Sequence, residues 1–315
     1  MAGKITTETA YADSLVKYGE KENVVVLDAD LACSNHTTFF RDKYPERFYN
    51  IGIAEANMVG IAAGMATTGK IVFTHSFAMF ASGRAFEQIR NFVAYPQLNV
   101  KVVGTHAGFS VERDGATHQS LEDIGIMRTI PHMKIVYPAD AIETEAAVKS
   151  LIADPGPAYL RLERIPVNTV NNHPGYRFEL GKGTVLAEGG DLTIISNGLM
   201  VQPVLEVAEQ LRKENITVRV INMHTVKPID RELIIKAARE TGAIVTVENH
   251  NIIGGLGSAV AEVLSENCAV AFKRIGVNDS FGKSGTFADI MAKYGLDRDG
   301  ITARIMELLK GKQSW

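Results

Sequence analysis

NIGIAEANMVGIAAGMAT, residues 50–67, is the stretch on which the reading of this 315-residue chain turns. It places one carboxylate, Glu55, at the head of a run of Ala, Gly, Met and Ile. Ala54, Met58, Ile61, Ala62 and Met65 recur at the spacing of one buried helix face, and the small residues among them let a second helix come close. The spacing predicts a helix packed at a subunit interface. A β-branched run follows at 71–73, and similar runs lie at 24–27, 100–103, 135–137 and 159–162, with helical patterns between them. Strands alternating with helices predict a parallel sheet with crossover helices.

The pattern stops after Arg164. A stretch holding Pro166, Asn171, Asn172, Pro174 and Gly175 reads as an exposed linker. Strand-like runs resume at 192–196, 218–221, 244–247 and 270–275. The expectation is an α/β protein of two domains, each a mostly parallel sheet flanked by helices: residues 1–165, a linker over 166–187, and a smaller domain over 188–315. The length agrees, since one core rarely serves more than roughly 100–200 residues.

Composition narrows the class. Apolar residues make up 46% and charged residues 22%, as in an ordinary globular protein. A net charge of −3 with no basic run argues against nucleic acid as a partner. The two cysteines, Cys33 and Cys268, lack metal-ligand spacing and cannot make a disulfide framework, which favours a reducing compartment. The N-terminus shows no leader pattern, and no apolar stretch approaches the ~20 residues a membrane span needs. A cytoplasmic protein without a membrane partner is expected.

Several positions carry chemistry, each with a plainer reading beside it. Glu55 is either a buried functional carboxylate or an acid that favours a helix N-terminus. Phe77 and Phe80, one helical turn apart after the strand at 71–73, are core aromatics or a stacking platform at a strand end, where open α/β sheets bind ligands. Thr105-His106-Ala107-Gly108 and Asp114-Gly-Ala-Thr-His118-Gln119 bring two imidazoles and a carboxylate into one polar loop. That set suits proton transfer and hydroxyl binding, or is a solvated Asp-Gly turn. Spacing does not support a metal site at His106, Asp114 and His118. In Asp28-Ala-Asp30-Leu-Ala-Cys-Ser34-Asn35-His36-Thr37, Ser34 or Thr37 is a helix N-cap or Ser34 a ligand contact. Arg164 offers a planar fork for an anion or joins a surface ion pair. The glycine-rich turn after Glu248 leads into a helix whose amides could take an anion.

These segments together resemble the transketolase family, over nearly all of the chain. GIAEANMVGIAAG is similar to the segment carrying the glutamate that activates thiamine diphosphate. By that resemblance Glu55 bonds a ring nitrogen of the aminopyrimidine, shifting it toward the imino form that removes the thiazolium proton. Phe77 and Phe80 correspond to the aromatic pocket that stacks the aminopyrimidine, with Gly83 where a third aromatic is expected. Arg84-Ala-Phe-Glu-Gln resembles deoxyxylulose phosphate synthases and 2-oxoacid dehydrogenase β subunits. The resemblance implies that Asp30 lies near the cofactor, that His106, Asp114 and His118 meet the substrate, and that Ser34 and Arg164 meet its phosphate. Ala107 stands where an acid is usual, and a second phosphate arginine is missing from Thr6-Thr7-Glu8-Thr9. The implied catalytic residues are Glu55, His106 and His118; the turn after Glu248 implies a structural and subunit-contact role.

The family's N-terminal domain holds magnesium and the cofactor diphosphate through a Gly-Asp-Gly motif, which this sequence lacks. The resemblance therefore implies a pyrimidine-binding domain plus a transketolase C-terminal domain, completed by a separate N-terminal subunit in an α2β2 assembly containing a homodimer of this chain. The expected activity is transfer of a two-carbon ketol unit between sugar phosphates, as in the pentose phosphate pathway, with thiamine diphosphate and with Mg2+ bound mainly by the partner. The alternatives are a 2-oxoacid dehydrogenase β subunit, disfavoured by the Asp114–His118 motif, and a non-catalytic scaffold paralogue.

Overall fold

A computed structural model describes residues 4–21 and 23–312. Its strands are β1 (Val24–Asp28), β2 (Phe48–Asn50), β3 (Ile71–Phe77), β4 (Val100–Thr105), β5 (Lys134–Val136), β6 (Ala158–Arg161), β7 (Thr184–Ala187), β8 (Leu192–Ser196), β9 (Val218–Asn222), β10 (Thr225–Lys227), β11 (Ala243–Asn251) and β12 (Ala271–Val277). The helices are α1 (Thr7–Tyr18), α2 (Thr38–Lys43), α3 (Glu55–Ala66), α4 (Ala78–Gly83), α5 (Phe86–Gln88), α6 (Asp123–Arg128), α7 (Ala141–Ala153), α8 (Val201–Arg212), α9 (Arg231–Thr241), α10 (Leu256–Asn267), α11 (Phe287–Lys293) and α12 (Arg298–Lys312). None of the described helices is long and apolar enough to cross a membrane.

Two mixed but mainly parallel sheets result, as the alternation predicts. The first has seven strands in the order β10-β5-β6-β4-β3-β1-β2, the second five in the order β12-β11-β8-β9-β7. Only the edge strands β10 and β7 run antiparallel to their neighbours. Alternate residues of β1 show why its sequence is apolar up to Asp28. Val25 and Leu27 pack with Met58 and Ala62 of α3 and Ile124 and Met127 of α6. Val24 and Val26 pack on the other face with Tyr11 and Leu15 of α1 and Val148 and Leu151 of α7. A strand covered on both faces has no polar side to display.

One expectation is corrected. In α3 the buried positions are Met58, Val59, Ala62, Ala63 and Ala66, whereas Ala54, Ile61 and Met65 are only partly buried. The helix is apolar nearly all round, so no polar face sets its rotation and the sheet beneath it does. Space beside Gly60 and Gly64 is open, which leaves that face of α3 uncovered in the single chain. The stretch at 166–187 is anchored at a few points: Asn171 is buried, the amides of Val170 and Asn171 both donate to Asp140 Oδ2 at 2.7 Å, and the Tyr176 hydroxyl donates to Glu143. Its last four residues are β7, in the second sheet. The two halves also interlock, because β10 leaves the second half to pair with β5 of the first sheet. Short edge strands of three or four residues carry too little periodicity to be read from sequence.

Arg161, fully buried at the end of β6, ties the halves together. Its guanidinium donates to Asp123 at 2.8 Å and Glu163 at 3.3 Å, and to the carbonyls of Ser120 and, in β11, Asn249 at 3.3 and 3.0 Å. The Tyr137 ring lies 4.5 Å beneath it. Burial pushes the Glu163 carboxyl up to about 7 against the pull of Arg161. Asn249 extends the tie by donating to Glu163 at 2.7 Å and accepting from the amide of Phe109 at 3.1 Å. His250 accepts from the Gly125 amide at Nε2, and its Nδ1 lies 2.6 Å from the Asn251 carbonyl, so it is a neutral Nδ1–H imidazole. Burial accordingly pushes it down to about 4.

Removing one partner of a buried charge network strands the others, at about 3–5 kcal/mol. Arg161→Ala should lower the unfolding free energy measured in urea by an amount in that range, and the midpoint with it. Arg212→Ala, which breaks the exposed pair with Glu209, should leave the midpoint unchanged.

Candidate active site

The polar residues singled out in the first half gather at the C-terminal ends of β1, β3 and β4, the edge at which a parallel sheet leaves its loops free to bind. Phe77 closes β3, and Phe80 follows one turn into α4 with its ring centroid 6.0 Å away and nearly parallel. His106, directly after β4, stacks on Phe77 at 4.1 Å. His118 meets the edges of both rings, at 6.3 Å from Phe77 and 5.2 Å from Phe80. Two phenylalanines and two histidines separated in sequence thus form one cluster.

Glu55 borders it at the first turn of α3, with a side chain only 2% exposed. It makes no helix cap. Its Oε1 accepts from the Ser76 hydroxyl at 3.0 Å, and Arg84 Nη1 reaches Oε1 and Oε2 at 3.0 and 3.2 Å. The same guanidinium lies 3.9 Å over the Phe80 ring. A planar group that donates N–H to Glu55 while stacking on Phe80 is therefore already accommodated. Arg84 is 49% exposed, so its guanidinium has solvent to move into when another N–H donor takes its place at the buried Glu55.

Behind His106 lies a chain of buried hydrogen bonds. Asp28 Oδ2 accepts from Asn35 Nδ2 at 3.0 Å and from the Thr37 hydroxyl at 2.8 Å, while Oδ1 accepts from the Leu31 amide at 2.6 Å. Thr37 therefore serves Asp28 and does not cap α2. Asn35 Oδ1 in turn accepts from the Thr105 hydroxyl at 2.7 Å. His106 holds a left-handed φ of 54°, and its amide donates to Glu8 Oε1 at 2.7 Å.

The remaining positions lie around this centre. Asp30, also left-handed at φ 66°, is exposed and accepts from Asn50 at 2.8 Å on the strand leading to Glu55. Ser34 is exposed in the loop after β1. Asp114 is exposed at the end of the 3-10 segment Gly108–Asp114. Arg164 pairs with Glu112 of that segment at 3.4 Å instead of joining the aromatic cluster. Among the described residues no group of three or more His, Cys, Asp or Glu is arranged to hold a metal ion. The amides after Glu248 are not open to an outside anion, because Glu248 itself takes those of Leu256 and Gly257 at 2.7 and 2.9 Å. A cavity of about 790 Å³ against β12 and α12 takes in none of the clustered residues.

Sequence reasoning missed Glu8 and Arg84 as parts of the site. Arg84 left one signal, a lone charge in the run AMFASGRA after Phe77. Glu8 left none, since an acid in a first helical turn is ordinary and its contact is 98 residues away.

Comparison with known proteins agrees with both halves of the fold. Residues 3–169 match the transketolase pyrimidine binding domain and residues 181–301 the transketolase C-terminal domain. A putative transketolase C-terminal section from Methanocaldococcus jannaschii is 50% identical over 303 residues, covering 95% of each chain. A 6-deoxy-6-sulfo-D-fructose transketolase subunit from Clostridium sp. (strain MSTE9) is 45% identical, covering 96% of this chain and 94% of its own. A solved structure described as a split gene transketolase, inactive beta4 tetramer, superposes with a TM-score of 0.91 at 50% identity, covering 98% of this chain and 99% of that one. The chain belongs to the transketolase family and carries its pyrimidine-binding and C-terminal domains, the portion that these relatives have as a chain of their own.

Proposed function

We propose that this chain is the C-terminal subunit of a thiamine diphosphate-dependent transketolase, moving a two-carbon ketol unit from a ketose phosphate to an aldose phosphate. In this reading residues 1–165 are the pyrimidine-binding domain, 166–187 the linker and 188–315 the C-terminal domain. A separate N-terminal subunit supplies the diphosphate and Mg2+ site, within a cytoplasmic α2β2 assembly built on a homodimer of this chain. The uncovered small-residue face of α3 fits such packing.

One observation carries the reading. The buried carboxylate of Glu55, beside the Phe77–Phe80 platform, already holds a flat N–H-bearing group in Arg84. An aminopyrimidine has the same demands, so the residues present fit the cofactor. When bound, thiamine diphosphate supplies the nucleophilic carbon and electron sink for carbon–carbon bond cleavage. Glu55 would then exchange the guanidinium for a pyrimidine nitrogen, in a setting dry enough to strengthen the bond. Phe77 and Phe80 would hold the ring face, with Asp30 at the cofactor's edge. His106 and His118 would exchange protons with sugar oxygens, Asp114 would hold a hydroxyl, and Ser34 and Arg164 would orient the phosphate end. The relatives are transketolase subunits and lend no support to a 2-oxoacid dehydrogenase β subunit.

The chain alone should not turn over xylulose 5-phosphate with ribose 5-phosphate. Titration with the candidate N-terminal subunit, thiamine diphosphate and Mg2+ should restore turnover, whereas ketol transfer by the lone chain would sink the split-enzyme reading. In the assembled complex Glu55→Gln should lower kcat by about 10²- to 10⁴-fold, the usual worth of a positioned acid–base group. An unchanged kcat would instead assign this chain a scaffold role.

A further inference from the structure

We propose that Glu8 is a positioning residue of this site: with the Asp28–Asn35–Thr105 relay it holds His106 as the Nδ1–H tautomer, leaving Nε2 as the atom that exchanges protons. The role in turnover rests on the reading above, but the tautomer itself follows from hydrogen-bond directions alone.

Asp28 is a carboxylate with only acceptor oxygens. Because Asn35 lies 3.0 Å from Asp28 Oδ2, its amide nitrogen must face Asp28, and its Oδ1 must face Thr105. The Thr105 hydroxyl has one proton and gives it to Asn35 Oδ1 at 2.7 Å, so toward His106 it offers only a lone pair. His106 Nδ1 lies 3.1 Å from that oxygen and 3.0 Å from Glu8 Oε1, another acceptor. Both neighbours of Nδ1 accept, so Nδ1 carries the hydrogen. Nε2 keeps its lone pair.

Glu8 does more than the threonine. Its single atom Oε1 accepts both the His106 ring hydrogen and the His106 backbone amide, the latter at 2.7 Å. It therefore holds the left-handed backbone of His106 and the ring together. Phe77 closes one ring face at 4.1 Å. A carboxylate 1% exposed needs such donors in place of the water it has lost. The backbone on either side is held as well: Thr7 and Glu163 exchange hydrogen bonds of 3.1 and 2.9 Å, which ties the head of α1 to the Arg161 network. An acid at this place thus has a defined task in orienting an imidazole, the role an aspartate performs for histidine in serine hydrolases.

The test uses histidine-selective ¹⁵N labelling of the full chain, with the His106 resonances assigned from His106→Ala. The wild type should show Nδ1 protonated and Nε2 unprotonated. Glu8→Leu should shift the ring toward the Nε2–H form, while Glu8→Gln, which keeps an acceptor oxygen at the Oε1 position, should retain most of the wild-type signature. In the assembled complex Glu8→Leu should lower kcat about 10- to 100-fold, part of what a positioned acid–base group contributes, with KM little changed and with Glu8→Gln recovering most of the loss. Added to His106→Ala, Glu8→Leu should cause no further loss, because a residue acting through another has nothing left to act on. An Nε2–H wild-type ring, an unchanged ring in Glu8→Leu, or fully additive losses would overturn the proposal. The expected tautomers with full activity in His106→Ala would overturn the reading of the site while leaving the Glu8–His106 contact established.

Discussion

A guanidinium with no access to water governs how this chain is put together. Arg161 can remain charged in the interior only because Asp123, Glu163 and two carbonyl groups converge on it from the stretch 120–123, its own strand end and β11. That requirement brings the end of β6, the head of α6, the loop before it and the end of β11 to one point. The second sheet is thereby anchored to the first through Asn249, and β10 adds a backbone seam. Close approach at this junction explains two glycines. A Cβ on Gly198 would come 1.8 Å from the Tyr137 ring, and one on Gly108 would come 2.4 Å from the Asn249 side chain.

The same junction supports the candidate site. Glu163 is held by Arg161, and its backbone exchanges hydrogen bonds with Thr7, the neighbour of Glu8. The loop Gly108–Asp114 is pinned by Asn249 at Phe109 and by Glu112, which accepts from the Phe287 amide at the start of α11. Elements of the C-terminal half therefore position residues of the pyrimidine-binding half that carry no direct contact with them. Two buried carboxylates lie on different sides of the cluster's residues and have different partners. Glu55 faces the aromatic platform and is matched by a half-exposed arginine that can leave. Glu8 faces a histidine and is matched by groups that cannot.

Much of this was legible in the amino-acid order. Nine strands announced themselves as short β-branched runs, because a strand buried on both faces has no polar positions to obscure the signal. Glu55 stood out as a lone charge in an apolar helix, and the histidines as imidazoles in loops after strands. The Gly-Ile-Ala-Glu segment and the Asp-Gly-Ala-Thr-His-Gln motif pointed to the family before any contact was known. Local order thus determined the α/β class, the two-sheet plan, the family and the identity of most of the clustered side chains.

Tertiary structure decided the rest, for reasons that local order does not carry. The rotation of α3 was undetermined by a helix apolar on every side, so the sheet chose which face to bury. The docking of 166–187 depends on Asp140 and Glu143, which lie outside that stretch. The stacking of His106 on Phe77, the guanidinium of Arg84 on Glu55 and the carboxylate of Glu8 behind the imidazole join residues tens of positions apart. Hydrogen bonds of that kind have no period and no motif. They exist only where parallel strands end side by side, and there the direction of each proton is settled by what its neighbours can accept.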